Sequence, residues 1–299
     1  MISAIRTRQG FPIVVACLFR GGVIQPQEMP KEPKLEDAGA SFWEIKTLEP
    51  EASACWRLGP LSLWARRRNN EWGIFAERGG SKELVQEFAG GTPPREDAAW
   101  KRWAFKQEES AVGLVPTSPD RSVVARPETP LRIPPDNDVL LFVSVPLWLR
   151  VFVGGERRVF LVEEPTRVLS NTWFGEPTEG ELCYALKTGA SRSLAGVKAG
   201  TYRFVCPLLI KNHSAEELNF QKVCLPVPHV QLYRGKTRIW SNRISLSYLG
   251  KSQFSAVVFD GEPPEYEEIR EKLGEPRIRE RRSFVRRSFE TIRTWGSNW

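Results

Sequence analysis

The chain has 299 residues, enough for one large domain or two small ones with a sizeable core. Hydrophobic residues make up 41% and charged residues 26%, which excludes disordered, collagen-like and coiled-coil chains. Forty-three basic against 36 acidic residues give a net charge of +7, and no apolar run reaches the roughly 18 residues a transmembrane helix needs.

That charge is uneven. Between Arg277 and Arg293 stand seven Arg and two acids, Glu280 and Glu290, a net +5 that leaves +2 for the remainder. A nucleic-acid binder carries its basic stripe on the folded body, interleaved with stacking aromatics. A near-neutral body with a basic tail therefore argues against nucleic acid.

Residues 1–50 read as a loosely ordered extension. Arg6 and Arg8 precede the apolar stretch Phe11 to Ala16 and then Cys17, a pattern that resembles a lipoprotein signal with Cys17 as the lipidated residue. The stretch is short and Pro12 interrupts it, so Met29 as the true start is the competing reading, and an ordered strand is a third. Residues 21–50 are rich in Pro, Glu and Lys.

From residue 51 to residue 261 period-two patterns predict an all-β body. Leu61, Leu63 and Ala65 share one face, Arg66 to Asn70 turn the chain, and Trp72, Ile74 and Ala76 return, a β-hairpin. Short strands are expected at 100–106 and 122–126. The continuous apolar run from Asp138 to Val145 fits a strand covered on both faces, and Pro146 ends it. Leu147 to Val153 alternates, Gly154 and Gly155 turn, and Arg157 to Val162 completes a second hairpin. Further strands are expected at 202–210, 220–225, 230–233, 238–242, 244–248 and 254–259. About a dozen short strands separated by turn signals predict an antiparallel β-sandwich of one or two packed units.

Residues 262–299 read as a linker and a helix. Val285, Phe289, Ile292, Trp295 and Trp299 recur at helical spacing, while Arg286, Arg287 and Arg293 point elsewhere. One reading packs this stripe on the body. The sharper one lays a basic amphipathic helix over residues 283–299 on an anionic membrane or in a partner's groove, with Arg286, Arg287, Phe289, Ile292, Arg293 and Trp295 as its surface.

No phosphate-cradling loop, dinucleotide fingerprint or nucleophile elbow occurs, so no catalytic residue and no cofactor is assigned. His213 lies in the polar turn KNHSAEELN, and His229 follows Pro228 at a strand start, a structural placement. The five cysteines, Cys17, Cys55, Cys183, Cys206 and Cys224, form no disulfide framework and no metal-ligand spacing. Zinc is therefore not expected, and reduced thiols in a cytoplasmic protein are, with a Cys206–Cys224 bridge as the alternative. The acids Glu163 and Glu164, and Glu176, Glu179 and Glu181, could serve glycoside hydrolysis or calcium, against the plainer reading that they are solvated. The most unusual stretch is NTWFGEPTEGELCYA, residues 171–185. Its Trp173, Phe174, Glu179 and Tyr184 form a candidate ligand or partner site, the alternative being aromatics folded back to plug one end of the sandwich.

Four stretches, WRLGPLSLWARRRNNEWGIFAE, RPETPLRIPPDNDVLLFVSVPLWL, NTWFGEPTEGELCYA and CLPVPHVQLY, resemble domain-of-unknown-function family 432 of archaea and bacteria. The resemblance runs from about Trp56 to about Gly261, and RPETPL and TWFGEPTEGELCYA are its most specific parts. It implies no activity and no catalytic residues. Some members are associated with genes for small mechanosensitive channels, which implies a membrane-protein partner. The leading expectation is thus a non-enzymatic β-sandwich binding protein, acting at a membrane surface or on a membrane-protein partner. A carbohydrate- or small-ligand-binding module using the aromatics near 173–184 comes second, and a hydrolase of unknown type third.

Overall fold

The structure, a computed structural model, describes residues 42–79, 84–91, 99–198, 200–250, 254–279 and 283–291. Strands dominate it, arranged in sheets of five, four, nine and six strands. The fold is all-β and largely antiparallel, as expected. Among the described residues no helix is long and apolar enough to cross a membrane.

The five-stranded sheet shows how alternation builds the core. Ser53–Leu58 pairs with Leu61–Arg68, which pairs with Glu71–Arg78. Leu61, Leu63 and Ala65 lie opposite Leu58, Trp56 and Ala54, and all six are fully buried. Side chains two apart share a face, so the period-two signal becomes one apolar wall, each large member contributing about 1.5–3 kcal/mol. The reversal falls at Asn69, whose φ of 42° lies in the left-handed region that Asn tolerates.

The four-stranded sheet joins Lys46–Thr47, Ala111–Thr117, Trp148–Val153 and Val159–Pro165. The nine-stranded sheet is built around Asp138–Pro146 and Arg203–Asn212, antiparallel over nine residue pairs from Asp138–Lys211 to Pro146–Arg203. The six-stranded sheet has the order Ser170–Phe174, Glu181–Ala185, Val123–Ala125, Leu218–Leu225, Phe289–Thr291, with Leu131–Ile133 also on Leu218–Leu225. Among the described residues three strand pairings are parallel, including Glu181–Ala185 on Val123–Ala125. One continuous core collects buried side chains from all four sheets, among them Trp56, Leu149, Phe204 and Phe220.

The described part of the C-terminal segment corrects one expectation. Instead of a helix it forms two strands: Ser283–Arg287 pairs with Phe254–Phe259, and Phe289–Thr291 pairs with Leu218–Leu225. Phe289 is 0% exposed and packs its ring 5.3 Å from Phe220 and 5.7 Å from Tyr248. A helix carries only its own backbone hydrogen bonds, whereas here two sheet edges offer unpaired partners and a core pocket takes Phe289. With Ile269–Gly274 in the nine-stranded sheet, the strand series continues well past residue 261. Ile292, Arg293 and Trp295 lie outside the described residues, as do Cys17 and Met29. Within the expected N-terminal extension, Phe42 and Leu48 are buried in the core.

Candidate functional site

Residues 170–185 form a hairpin in which Trp173 faces Leu182 and Phe174 faces Glu181. Gly175 turns the chain with φ 106°, a conformation L side chains rarely adopt. The Trp173 indole N–H donates to the Glu176 carbonyl at 2.9 Å, which fixes the ring against the turn. A Cβ on Gly180 would overlap that indole nitrogen and stand 2.7 Å from the Phe174 carbonyl oxygen, so the hairpin closes only around glycine.

The two faces of this hairpin differ. Trp173 is 49% exposed and its cross-strand partner Leu182 45%. On the other face Phe174 is 2% exposed and joins Val124, Cys183 and Cys224 in a small apolar cluster. Of the aromatics that sequence singles out, Trp173 is thus presented to solvent and Phe174 plugs the interior. Glu179 is exposed at the hairpin tip and does not line the neighbouring cleft. Tyr184 is half-buried; its hydroxyl donates to Asp120 Oδ1 at 2.9 Å. Burial, reinforced by Asp120, pushes Tyr184 up to about 12. The Arg121 guanidinium lies 5.4 Å from its ring centroid, and the Trp148 ring packs tilted against it at 5.8 Å.

Beside the hairpin opens a cleft of about 460 Å³ lined by Asp120, Arg121, Ser122, Glu181, Leu182, Pro228, His229 and Ile278. Four chain segments build it. Residues 120–122 lead into Val123–Ala125, Glu181 and Leu182 begin their strand, and a single 3-10 turn, Val227–His229, brings His229 in. Ile278 is held there by its N–H to the Pro228 carbonyl at 3.1 Å. His229 stacks on Phe259 with ring centroids 5.3 Å apart, which supports the structural role but also sets it on the cleft wall. His213 is exposed in its turn.

Beneath the cleft floor lie two thiols. Glu181 accepts from Ser122 Oγ at 3.4 Å through one carboxylate oxygen, and Cys224 Sγ lies 3.7 Å from the other. Cys183 and Cys224, both 0% exposed, bring their sulfurs to 3.7 Å. No disulfide links the described cysteines, and Cys206 makes its contact with the Pro207 carbonyl instead of with Cys224. Environment separates these thiols. Burial pushes Cys55 up to about 11 and Cys206 up to about 12. Cys183 is instead lowered, because Cys224 hydrogen-bonds to its sulfur, while burial drives Cys224 well up.

The acids Glu163 and Glu164 do not join this site. As adjacent strand residues they face opposite ways: Glu163 pairs with Arg150 at 3.0 Å and with Arg277, and Glu164 with Arg78 at 2.6 Å and Lys101 at 2.7 Å. These ion pairs give both acids a structural role.

Sequence reasoning missed Asp120 and Ser122, did not bring Cys183 and Cys224 together, and did not connect Glu181 with His229. One signal was present. Two of the stretches that carry the family resemblance, TWFGEPTEGELCYA and CLPVPHVQLY, contain Glu181 with Cys183 and Cys224 with His229.

Fold and cleft together define an all-β protein of several packed sheets with a polar cleft set over a buried pair of thiols. The chain belongs to the family described as Protein of unknown function (DUF432), whose model matches residues 42–293. No curated protein and no solved structure matches it.

Proposed function

We propose that this protein is a binding module that takes a small hydroxyl-rich ligand, of carbohydrate type, in the cleft between Asp120, Glu181 and His229. The observation that carries this reading is Trp173, exposed opposite the cleft-lining Leu182 and tied by its indole N–H to the Glu176 carbonyl. An aromatic face held in one orientation stacks on the C–H face of a sugar at little entropic cost. Carboxylates and a hydroxyl at Asp120, Glu181 and Ser122 then receive the ligand's hydroxyls. The cleft volume of about 460 Å³ lies within the range of small-molecule sites.

Isothermal titration with mono- and oligosaccharides, beside non-sugar metabolites of similar size, tests it. Saturable binding of a glycan that Trp173→Ala weakens at least about fivefold is expected, since one stacked ring is worth about 1–3 kcal/mol. A flat response to every glycan overturns the reading.

A hydrolase is the second reading, favoured by the meeting of Asp120, Glu181 and His229 in one cleft. It requires turnover of chromogenic esters, phosphates or glycosides that Glu181→Gln abolishes. Action at a membrane through an amphipathic tail loses its support in the described residues, because 283–291 is strand and Phe289 is spent on the core.

A further inference from the structure

Glu181, Cys183 and Cys224 offer three ligand atoms within 4.8 Å of one another. The spacing carries information. Two thiolates about 2.3 Å from one tetrahedral Zn2+ stand about 3.8 Å apart, and a thiolate and a carboxylate oxygen about 3.6 Å apart. The observed separations are 3.7 Å between the sulfurs and 3.7 Å from Cys224 Sγ to Glu181 Oε1.

The positions are set by the sheet. Glu181 and Cys183 are two apart on one strand and so share a face. Cys224 comes from Leu218–Leu225, with Val123–Ala125 between the two strands. The free thiols hold their sulfurs 3.7 Å apart, a separation that a shared ion spans as they stand.

We infer that Glu181, Cys183 and Cys224 form a binding site for a thiophilic divalent cation of the Zn2+ type. Two thiolates and a carboxylate are the donor set such an ion selects over magnesium or calcium. Binding releases the remaining thiol protons to solvent, leaving a site of net charge −1. Ser122 Oγ, donating to the second Glu181 oxygen, orients the carboxylate as an outer partner. Three protein donors leave the fourth tetrahedral position open, the arrangement of zinc sites that exchange a water or a ligand. Glu181 also lines the cleft, so the ion sits directly under the ligand proposed above. The inference itself rests on the three donors and not on that ligand.

Anaerobic titration of the reduced, chelator-treated full chain with Co2+ tests it, with Zn2+ competition. A one-to-one complex with thiolate-to-cobalt charge-transfer absorption and a tetrahedral ligand-field spectrum is expected, together with a rise in melting temperature on adding Zn2+. The double variant Cys183→Ser/Cys224→Ser, checked for native circular dichroism, loses the charge-transfer band, and each single variant weakens it. Glu181→Gln retains it with affinity at least about tenfold weaker. Trp173→Ala leaves metal binding intact, which separates this site from the ligand reading. Absence of the band in folded, fully reduced wild-type protein overturns the inference. So does a Cys183–Cys224 disulfide in the protein as purified, found by mass spectrometry.

Discussion

Two strand pairs of this molecule follow opposite rules. Asp138–Pro146 against Arg203–Asn212 pairs over nine residues, with Leu141, Val143 and Val145 on one strand and Phe204, Cys206, Leu208 and Ile210 on the other all buried. Ser170–Phe174 against Glu181–Ala185 pairs over five, buries Phe174 and Cys183, and leaves Trp173 and Leu182 to solvent. The first pair is surrounded and supplies rigidity. The second sits at a sheet end, with Phe174 and Cys183 buried on one face and Trp173 and Leu182 exposed on the other. Under the proposed function stability and recognition rest on different residues, and substitutions should separate them.

The largest effect is expected in the first pair. Leu208→Ala should lower unfolding free energy by about 2–5 kcal/mol in a denaturant titration while the folded protein keeps its ligand affinity. Gly180→Ala comes next: its Cβ meets the indole and the Phe174 carbonyl, so about 1–3 kcal/mol is lost and Trp173 is displaced, weakening ligand binding as well. If Gly180→Ala leaves affinity unchanged, the rigid-indole argument is wrong.

Tyr184→Phe should cost a smaller amount, about 0.5–1.5 kcal/mol, for the hydrogen bond to Asp120. Its pH dependence follows from the folded value of about 12 against the ordinary 10.0. A raised value means the folded state favours the protonated phenol, so this contribution is complete below pH 10 and disappears as pH rises toward 12. Ultraviolet titration of the phenolate should show the upper transition moving down in Asp120→Asn. The smallest stability change belongs to Trp173→Ala, within about 0.5 kcal/mol, because its ring is half outside the fold. A large loss of stability there would erase the contrast between the two pairs.

The same contrast explains what sequence could reveal. Ile244–Tyr248 and Phe254–Phe259 match their expected bounds, and the Asp138 run appears as the buried strand its unbroken apolar pattern predicts. Local alternation suffices wherever a strand's face is uniform. The tail defeats it. Val285 and Phe289 are four apart, a spacing that a helix and a strand both allow, and the break at Ser288 leaves two runs, in different sheets, too short to show alternation. The candidate metal site was illegible for another reason. Cys183 and Cys224 are 41 positions apart and meet only because Val123–Ala125 pairs parallel to one strand and antiparallel to the other. No spacing rule encodes that adjacency.

The tail strands also bear on how the protein is made. Ser283–Arg287 ends the nine-stranded sheet and Phe289–Thr291 ends the six-stranded one, with buried Ser288 between them accepting the Cys224 amide at 2.8 Å. A ribosome delivers the chain from its N-terminus, so both sheets emerge before the nine residues that stitch them together. Until residue 291 leaves the exit tunnel, the nascent protein presents two open strand edges and a vacant place for Phe289.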